Sequence, residues 1–185
     1  MHRMKVHDKI GFPAAWNALE KKGYTLELAG QERYSDNFRN ILSQNSDLTS
    51  IHLRWHPDIE ATKNGKSVLC EVKTHDITHR DTGNYAVEAD SYKAAKMLAI
   101  PVIYIFVEVA DGVIVILRWC CSDDITPSVI RIPDRFDFER KREELKTYFS
   151  DTVRFEAWPH SGGSGTPYFL VPKRSDYIKG WNSFC

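Results

Sequence analysis

Two periodicities take turns along this chain. From Ile10 to Lys22 the apolar residues Phe12, Ala15, Trp16 and Leu19 fall on one stripe, which predicts an amphipathic helix stopped by Gly23. Tyr24 to Leu28 suits a short strand. Gln31 to Gln44 returns to helical spacing through Tyr34, Phe38, Ile41 and Leu42, with Ser35-Asp36 as cap chemistry and Asn45-Ser46-Asp47 as a turn. Leu48 to Trp55 alternates imperfectly and leads into a hairpin. Its second arm, Ser67 to Lys73, sets Val68, Cys70 and Val72 on one face and Leu69, Glu71 and Lys73 on the other. Tyr85 to Ala99 is predicted as a helix that buries Val87, Tyr92, Ala95 and Leu98. Pro101 to Val109 is a near-continuous β-branched and aromatic run, the pattern of a strand buried on both faces. Asp111-Gly112 is a hairpin turn, and Val113 to Trp119 is its antiparallel partner. Ile130 to Pro133 leads into a charged helix within Arg135 to Phe149. Val153 to Trp158 and Tyr168 to Val171 are strand-like, with a glycine-rich loop from His160 to Pro167 between them. These elements predict an α/β protein, a mixed central sheet flanked by helices.

The hairpin carries the chemistry. Asn64-Gly65 is a strong type I′ turn signal, because both central positions need φ > 0. With those two residues as the loop, Lys63 pairs with Lys66 and Asp58 stands opposite Glu71. Opposed side chains share a face, with Cβ atoms roughly 5 Å apart. His56 then lies opposite Lys73 on that face, with Glu60 nearby. Two opposed carboxylates repel, and a divalent cation between them removes the conflict. Hard cations such as Mg²⁺ take oxygen ligands, so the Val72 backbone carbonyl is a further candidate donor.

Pro57-Asp58, followed after twelve residues by Glu71-Val72-Lys73, resembles the PD-(D/E)xK signature of restriction-endonuclease-like nucleases. The resemblance implies a restriction-endonuclease-like fold whose core runs helix, meander, helix, strand. That core would cover about residues 10–119 of a single domain spanning 1–185, with 120–185 as a C-terminal elaboration. It also implies a catalytic set of Asp58, Glu71 and Lys73. Asp58 and Glu71 would hold Mg²⁺, with Mn²⁺ as a substitute, and Lys73 would position or activate the attacking water. Some family members add a Glu from the first helix. Glu20 and Glu32 are the candidates here, and each also reads as a solvated helix acid. The helix after the E-x-K strand often lends a polar residue. Lys93 or Tyr92 could do so here, though they read better as a solvated lysine and a core tyrosine. Glu20-Lys21-Lys22, Glu144-Leu145-Lys146 and Glu139-Arg140-Lys141 share part of the signature but lack the strand alternation and the turn.

Composition narrows the class. The chain has 185 residues, 42% hydrophobic and 12% aromatic, enough for one domain with a substantial core. No apolar run is long enough to span a bilayer, and no apolar stretch follows Met1 to Lys5 as a secretory signal requires. A cytoplasmic location with no membrane partner is therefore expected. The four cysteines show no C-x-x-C spacing and read as reduced thiols. The formal net charge is zero, which counts against a generally basic nucleic-acid binder and leaves a local basic patch as the route to DNA. Lys173-Arg174, Lys179 and Trp181 are candidates for such a patch, or close the domain as packing residues. Arg140-Lys141-Arg142 reads better as a solvated helix face. His75 and His79 stand four apart, but Gly83-Asn84 argues for a loop, so they read as exposed histidines at the mouth of the site.

The expectation is a Mg²⁺-dependent DNA endonuclease, as a homodimer where both strands are cut at one locus. Two alternatives stand beside it. One is a non-catalytic nucleic-acid- or protein-binding domain on the same fold. The other is an unrelated α/β protein with a surface hairpin.

Overall fold

A computed structural model describes residues 6–44, 48–159 and 165–184, with the side chains of Glu32, Asp36, Ser43, Leu48 and Ile51 outside the description. The expected turn at Asn45-Ser46-Asp47, most of the loop from His160 and the Glu32 side chain therefore lie outside the described residues.

A π-helical turn, His7–Gly11, runs into helix α1 (Phe12–Lys21), which buries Ala14, Ala15 and Leu19. Strand β1 (Thr25–Leu28) follows, then a 3-10 turn at Gln31–Arg33 and helix α2 (Asp36–Gln44). The Phe38 N–H donates to Ser35 Oγ at 3.4 Å at the start of α2, in line with the cap chemistry expected there. Leu48–Arg54 is helix α3, where the imperfect alternation pointed to a lead-in strand. Leu48, Ile51 and Trp55 are also three and four apart, so the segment satisfies a helical period equally well.

The hairpin is as expected. Strands β2 (Ile59–Lys63) and β3 (Lys66–Asp76) pair with Lys63 opposite Lys66 and Ile59 opposite Cys70. Asn64 and Gly65 take φ of 53° and 71°, the left-handed pair that a type I′ turn requires. β3 continues to Asp76, so His75 is a strand residue and not part of a loop. The reason is its other neighbour: β3 runs parallel to strand β5 (Val102–Ala110) as far as the Asp76 to Val109 pair.

Asn84–Glu88 is strand β4, and the expected helix begins only at Ala89, as α4 (Ala89–Met97). Tyr85 and Val87, both 0% exposed, alternate inward, and β4 finds its partner far along the chain in β9 (Tyr168–Pro172). The remaining elements are β6 (Val113–Cys121), β7 (Val129–Pro133), α5 (Phe138–Lys146), β8 (Arg154–Trp158) and β10 (Lys179–Gly180).

Two sheets result. The larger has six strands in the order β1-β2-β3-β5-β6-β10, and the smaller has four in the order β4-β9-β7-β8. β5 lies between β3 and β6 and is buried along nearly its whole length, as its apolar run predicts. One face of the larger sheet packs Ile59, Cys70, Val72, Ile105 and Val107 against Ala15 and Leu19 of α1. The other face packs Tyr104, Phe106 and Cys120 against the smaller sheet, with Tyr92 of α4 and Leu145 of α5. The chain is thus a mixed α/β protein whose mixed sheet is flanked by helices. Residues 120–185 are woven into this core, because β7, β8 and β9 complete a sheet with β4. Among the described residues, no helix is long and apolar enough to cross a membrane.

Candidate active site

Asp58 directly precedes β2. Continuing the β2–β3 register by one residue sets it beside Glu71. Its backbone carbonyl accepts from Ala29 N–H at 2.9 Å, which ties it to the end of β1. Its carboxylate Oδ2 accepts from Val72 N–H at 2.7 Å. In an extended strand the N–H and C=O of one residue leave on the same edge, so the Val72 carbonyl also faces the Asp58 side.

Glu71 is buried, 8% exposed, on the face of β3 opposite to Cys70 and Val72. Two groups converge on its Oε1: Lys73 Nζ at 2.8 Å and Ser91 Oγ, donating from α4, at 3.2 Å. Oε2 has no hydrogen-bond partner among the described residues. Lys73 also reaches Glu88 Oε2 at 2.5 Å, from the end of β4. Burial alone would lower the Lys73 pKa, but the Glu71 and Glu88 carboxylates outweigh it and hold the ammonium well above its ordinary value. Burial pushes Glu88 up, and the Lys73 charge overrides that and keeps the carboxyl below its usual value. Tyr104 stands opposite Glu71 in the β3–β5 register, and its buried hydroxyl has no hydrogen-bond partner among the described residues. Desolvation raises its pKa, so it stays a neutral donor.

Of the residues expected at the site, Asp58, Glu71, Val72 and Lys73 are brought together. The other three are not. His56 sits in a bend before the ladder begins, with Nδ1 3.2 Å from the Pro57 carbonyl oxygen, so its expected pairing with Lys73 does not form. Glu20 is exposed on the last turn of α1, which covers the opposite face of the sheet. Lys93 is 5% exposed, neither solvated nor turned to Glu71, and its ammonium lies 3.6 Å from the centre of the Tyr148 ring. Tyr92 is the core residue it resembled, with its hydroxyl donating to the Ile125 carbonyl at 2.9 Å.

Glu88, Ser91 and Tyr104 escaped the sequence reading. The alternation of Tyr85 and Val87 was the available sign that this stretch is a strand. The ring of His75 packs edge-on to Tyr85 at 5.0 Å, and burial first, then the Lys173 charge, lowers its pKa to about 4. Lys173 is an interior cation and not a DNA-groove residue. Its Nζ lies 2.8 Å from both Glu108 Oε2 and Asp81 Oδ1, and Tyr85 OH donates to Glu108 Oε1 at 2.5 Å. Lys179 lies over the Trp119 ring, and Trp181 stacks on Phe184. In α5, Lys141 pairs with Asp90 and Glu144, and Arg142 with Glu139 and Glu143; Lys141 is 12% exposed, so the run is not the fully solvated face expected of it.

The donor set can be tested against a hard cation. Glu71 and Glu88 flank the Lys73 ammonium, and Asp58 stands beside Glu71 where the β2–β3 register continues, so acids outnumber the one cation here. Two carboxylates and a backbone carbonyl are also the donor chemistry Mg²⁺ uses when water and phosphate complete its shell. No cluster of three or more His, Cys, Asp or Glu placed to hold a metal occurs among the described residues. The residues therefore fit a cation bound by few protein ligands, not an all-protein cage. The fold and site define a mixed α/β protein with a buried acid and lysine cluster on a central hairpin. Against protein-family models, curated proteins and solved structures, the chain shows no match.

Proposed function

We propose that the chain is a Mg²⁺-dependent DNA phosphodiesterase of the PD-(D/E)xK kind, acting as an endonuclease. The carrying observation is the juxtaposition of Asp58 and Glu71 on one hairpin, with Lys73 clamped beside them by Glu71 and Glu88. The element order supports the reading: helix α1, the meander β1-β2-β3, helix α4, then β5 parallel to β3, as the resemblance implies.

Asp58, Glu71 and the Val72 carbonyl would hold the cation, Mg²⁺ or Mn²⁺. Bound there, it supplies a Lewis acid and a means of making water nucleophilic near neutral pH. Lys73, kept protonated by two carboxylates, serves as a fixed positive donor toward the charge that develops on the scissile phosphate. It does not act as a base. Glu71, with Oε1 engaged by Lys73 and Ser91, would have Oε2 left to hold the cation. Ser91, which donates to Glu71, and Tyr104, opposite Glu71 in the ladder, are neutral hydroxyls beside it.

The test is cleavage of supercoiled plasmid, linear duplex, four-way junction and single strand with Mg²⁺ or Mn²⁺, comparing wild type with Asp58→Asn and Lys73→Met. Metal-dependent cutting lost in both variants is expected. A thermal shift runs beside it: a cation that binds only the native state at a hundred times its Kd adds about 2.7 kcal/mol. Asp58→Asn should abolish that shift. A protein that neither cuts nor gains stability at millimolar metal would lose this reading, and DNA bound without cutting would favour the non-catalytic binding domain.

A further inference from the structure

The larger sheet ends on an unfinished edge. Strand β6 pairs with β5 along its length on one side, but on the other side it meets β10 only at Arg118 and Trp119. Residues 113–117 have no strand beyond them among the described residues. Alternate residues of such an edge point their N–H and C=O outward, unpaired. All five side chains are apolar, in the order Val-Ile-Val-Ile-Leu. Val113 and Val115, 65% and 56% exposed, are the two most exposed large hydrophobic residues described.

Other edges of the two sheets are guarded. β1 carries Glu27, and β8 carries Arg154 and Glu156. Charge on an edge strand resists pairing with another chain, and residues 113–117 have none. A bulge at Val115, between the Glu108–Ile116 and Val109–Ile114 pairs, twists this edge but does not cover it. Beside the edge, on the α1 face of the sheet, runs an apolar groove of about 510 Å³. It is lined by Ala14 and Ala18 of α1, Ile114 and Leu117 of β6, and Trp181, with Lys21 at its rim. An open backbone and an apolar groove thus lie side by side.

We propose that the β6 edge is a dimer interface, on which residues 113–117 of a second copy pair antiparallel with the same residues of the first. The edge calls for an extended backbone, and the groove for apolar side chains on that backbone. The same segment of a second copy brings both. Charge agrees with this occupant. β10 occupies the lane beside β6, so an antiparallel partner strand in that lane carries its Asp111-Gly112 turn to the β10 end. The exposed Asp111 of each copy then approaches Lys179 and Lys21 of the other, which sets unlike charges at both ends of the pair. Because each edge fills the other, the assembly closes at two copies. The six strands of each larger sheet become one continuous sheet, with both Lys73 side chains on the same side of it. A five-residue strand spans only about 17 Å and covers less than the roughly 800 Å² per partner of a standard interface, so the dimer is expected to be a micromolar one. The interface does not rest on the nuclease reading.

The experiment is analytical ultracentrifugation of the whole chain from micromolar to submillimolar concentration. The 21.3 kDa monomer should pass to a species of twice that mass and go no further. Val115→Lys sets two ammonium groups close together near the middle of the pair and should weaken it about 10-fold or more. Val115→Thr keeps a β-branched strand residue and should dimerise nearly as wild type does. Both substitutions fall on an exposed side chain, so circular dichroism should match wild type. Hydrogen exchange then names the occupant. Amides of residues 113–117 should gain protection as protein concentration rises. Protection that dilution does not change would place a segment of the same chain on the edge, and no protection would leave the edge empty; either result overturns the proposal. So does a wild type that stays monomeric, one that grows past two copies, or a Val115→Lys variant that dimerises equally well.

Discussion

Replacing Lys73 by methionine probes the centre of the site most directly. The ammonium lies 2.8 Å from Glu71 and 2.5 Å from Glu88, and the three side chains are 13%, 10% and 24% exposed. Methionine has similar length and no charge, so the variant leaves two buried carboxylates facing each other with nothing between them. Breaking one partner out of a buried ion cluster costs about 3–5 kcal/mol. In a chain of this size each kcal/mol moves Tm by about 2–4 °C, so the midpoint at pH 7 should fall by roughly 10 °C. The pH dependence should also change sign. In wild type Glu88 is held below its ordinary value, so its contribution is present above the unfolded pKa and lost as pH falls through the folded one. The Lys73 contribution is present below the unfolded lysine value and is lost only as pH rises through its elevated folded pKa. The clamp itself should therefore add no pH dependence to wild type across neutrality. In Lys73→Met the unpaired carboxylates resist ionisation, so the variant should gain stability as pH falls from 7 toward 5. The assay is differential scanning calorimetry at several pH values. A midpoint within about 2 °C of wild type, or a variant whose profile from pH 7 to 5 runs parallel to that of wild type, would show that the clamp is not what the geometry indicates.

Two further predictions concern the neighbouring polar groups. His75 has its pKa lowered to about 4, so the unfolded chain binds a proton through the window below about 6.5 in which the folded chain does not. Wild-type stability is then full above that window and falls as pH drops through it. Urea unfolding should show His75→Phe losing this dependence, the difference approaching about 1.4 kcal/mol per pH unit; parallel curves would count against it. Lys173→Met strands the Glu108 carboxylate, 6% exposed, and should cost about 3 kcal/mol, whereas Asp81→Asn, at a carboxyl 50% exposed, should cost under about 1 kcal/mol. Equal costs in chemical denaturation would refute that ranking.

The hairpin was legible because its register is local. Asn64-Gly65 counts out every pair from Lys63 and Lys66 to Asp58 and Glu71 without reference to the rest of the fold. The run from Val102 to Ala110 was legible because burial on both faces leaves no polar position to misread. Glu88 was not legible, because Val87, Tyr92, Ala95 and Leu98 satisfy a helical stripe, which masked the strand alternation of Tyr85 and Val87. What decides the matter is β9, which gives β4 a partner from Tyr168 to Pro172 and lies outside any local window. The reach of β3 to Asp76 was hidden for the same reason, since the parallel ladder with β5 holds it extended through a polar stretch. Lys93 was misjudged by residue type: its stem is buried and its charge is carried by the Tyr148 ring.

The placement of Glu88 ties the candidate site to the whole fold. Asp58, Glu71 and Lys73 come from one hairpin, which can form early from its own turn. Glu88 reaches Lys73 only when β4 is seated, and β4 is seated only by β9 and by Tyr85 stacked flat on Phe106 at 4.0 Å. β9 in turn needs β7. The hairpin alone would leave the ammonium with Glu71 as its ion-pair partner and its direction unfixed. Closing the smaller sheet adds the Glu88 carboxylate and fixes the ammonium between two acids. The acid and lysine cluster therefore depends on β7 and β9, from beyond residue 120, as much as on the hairpin that announces it.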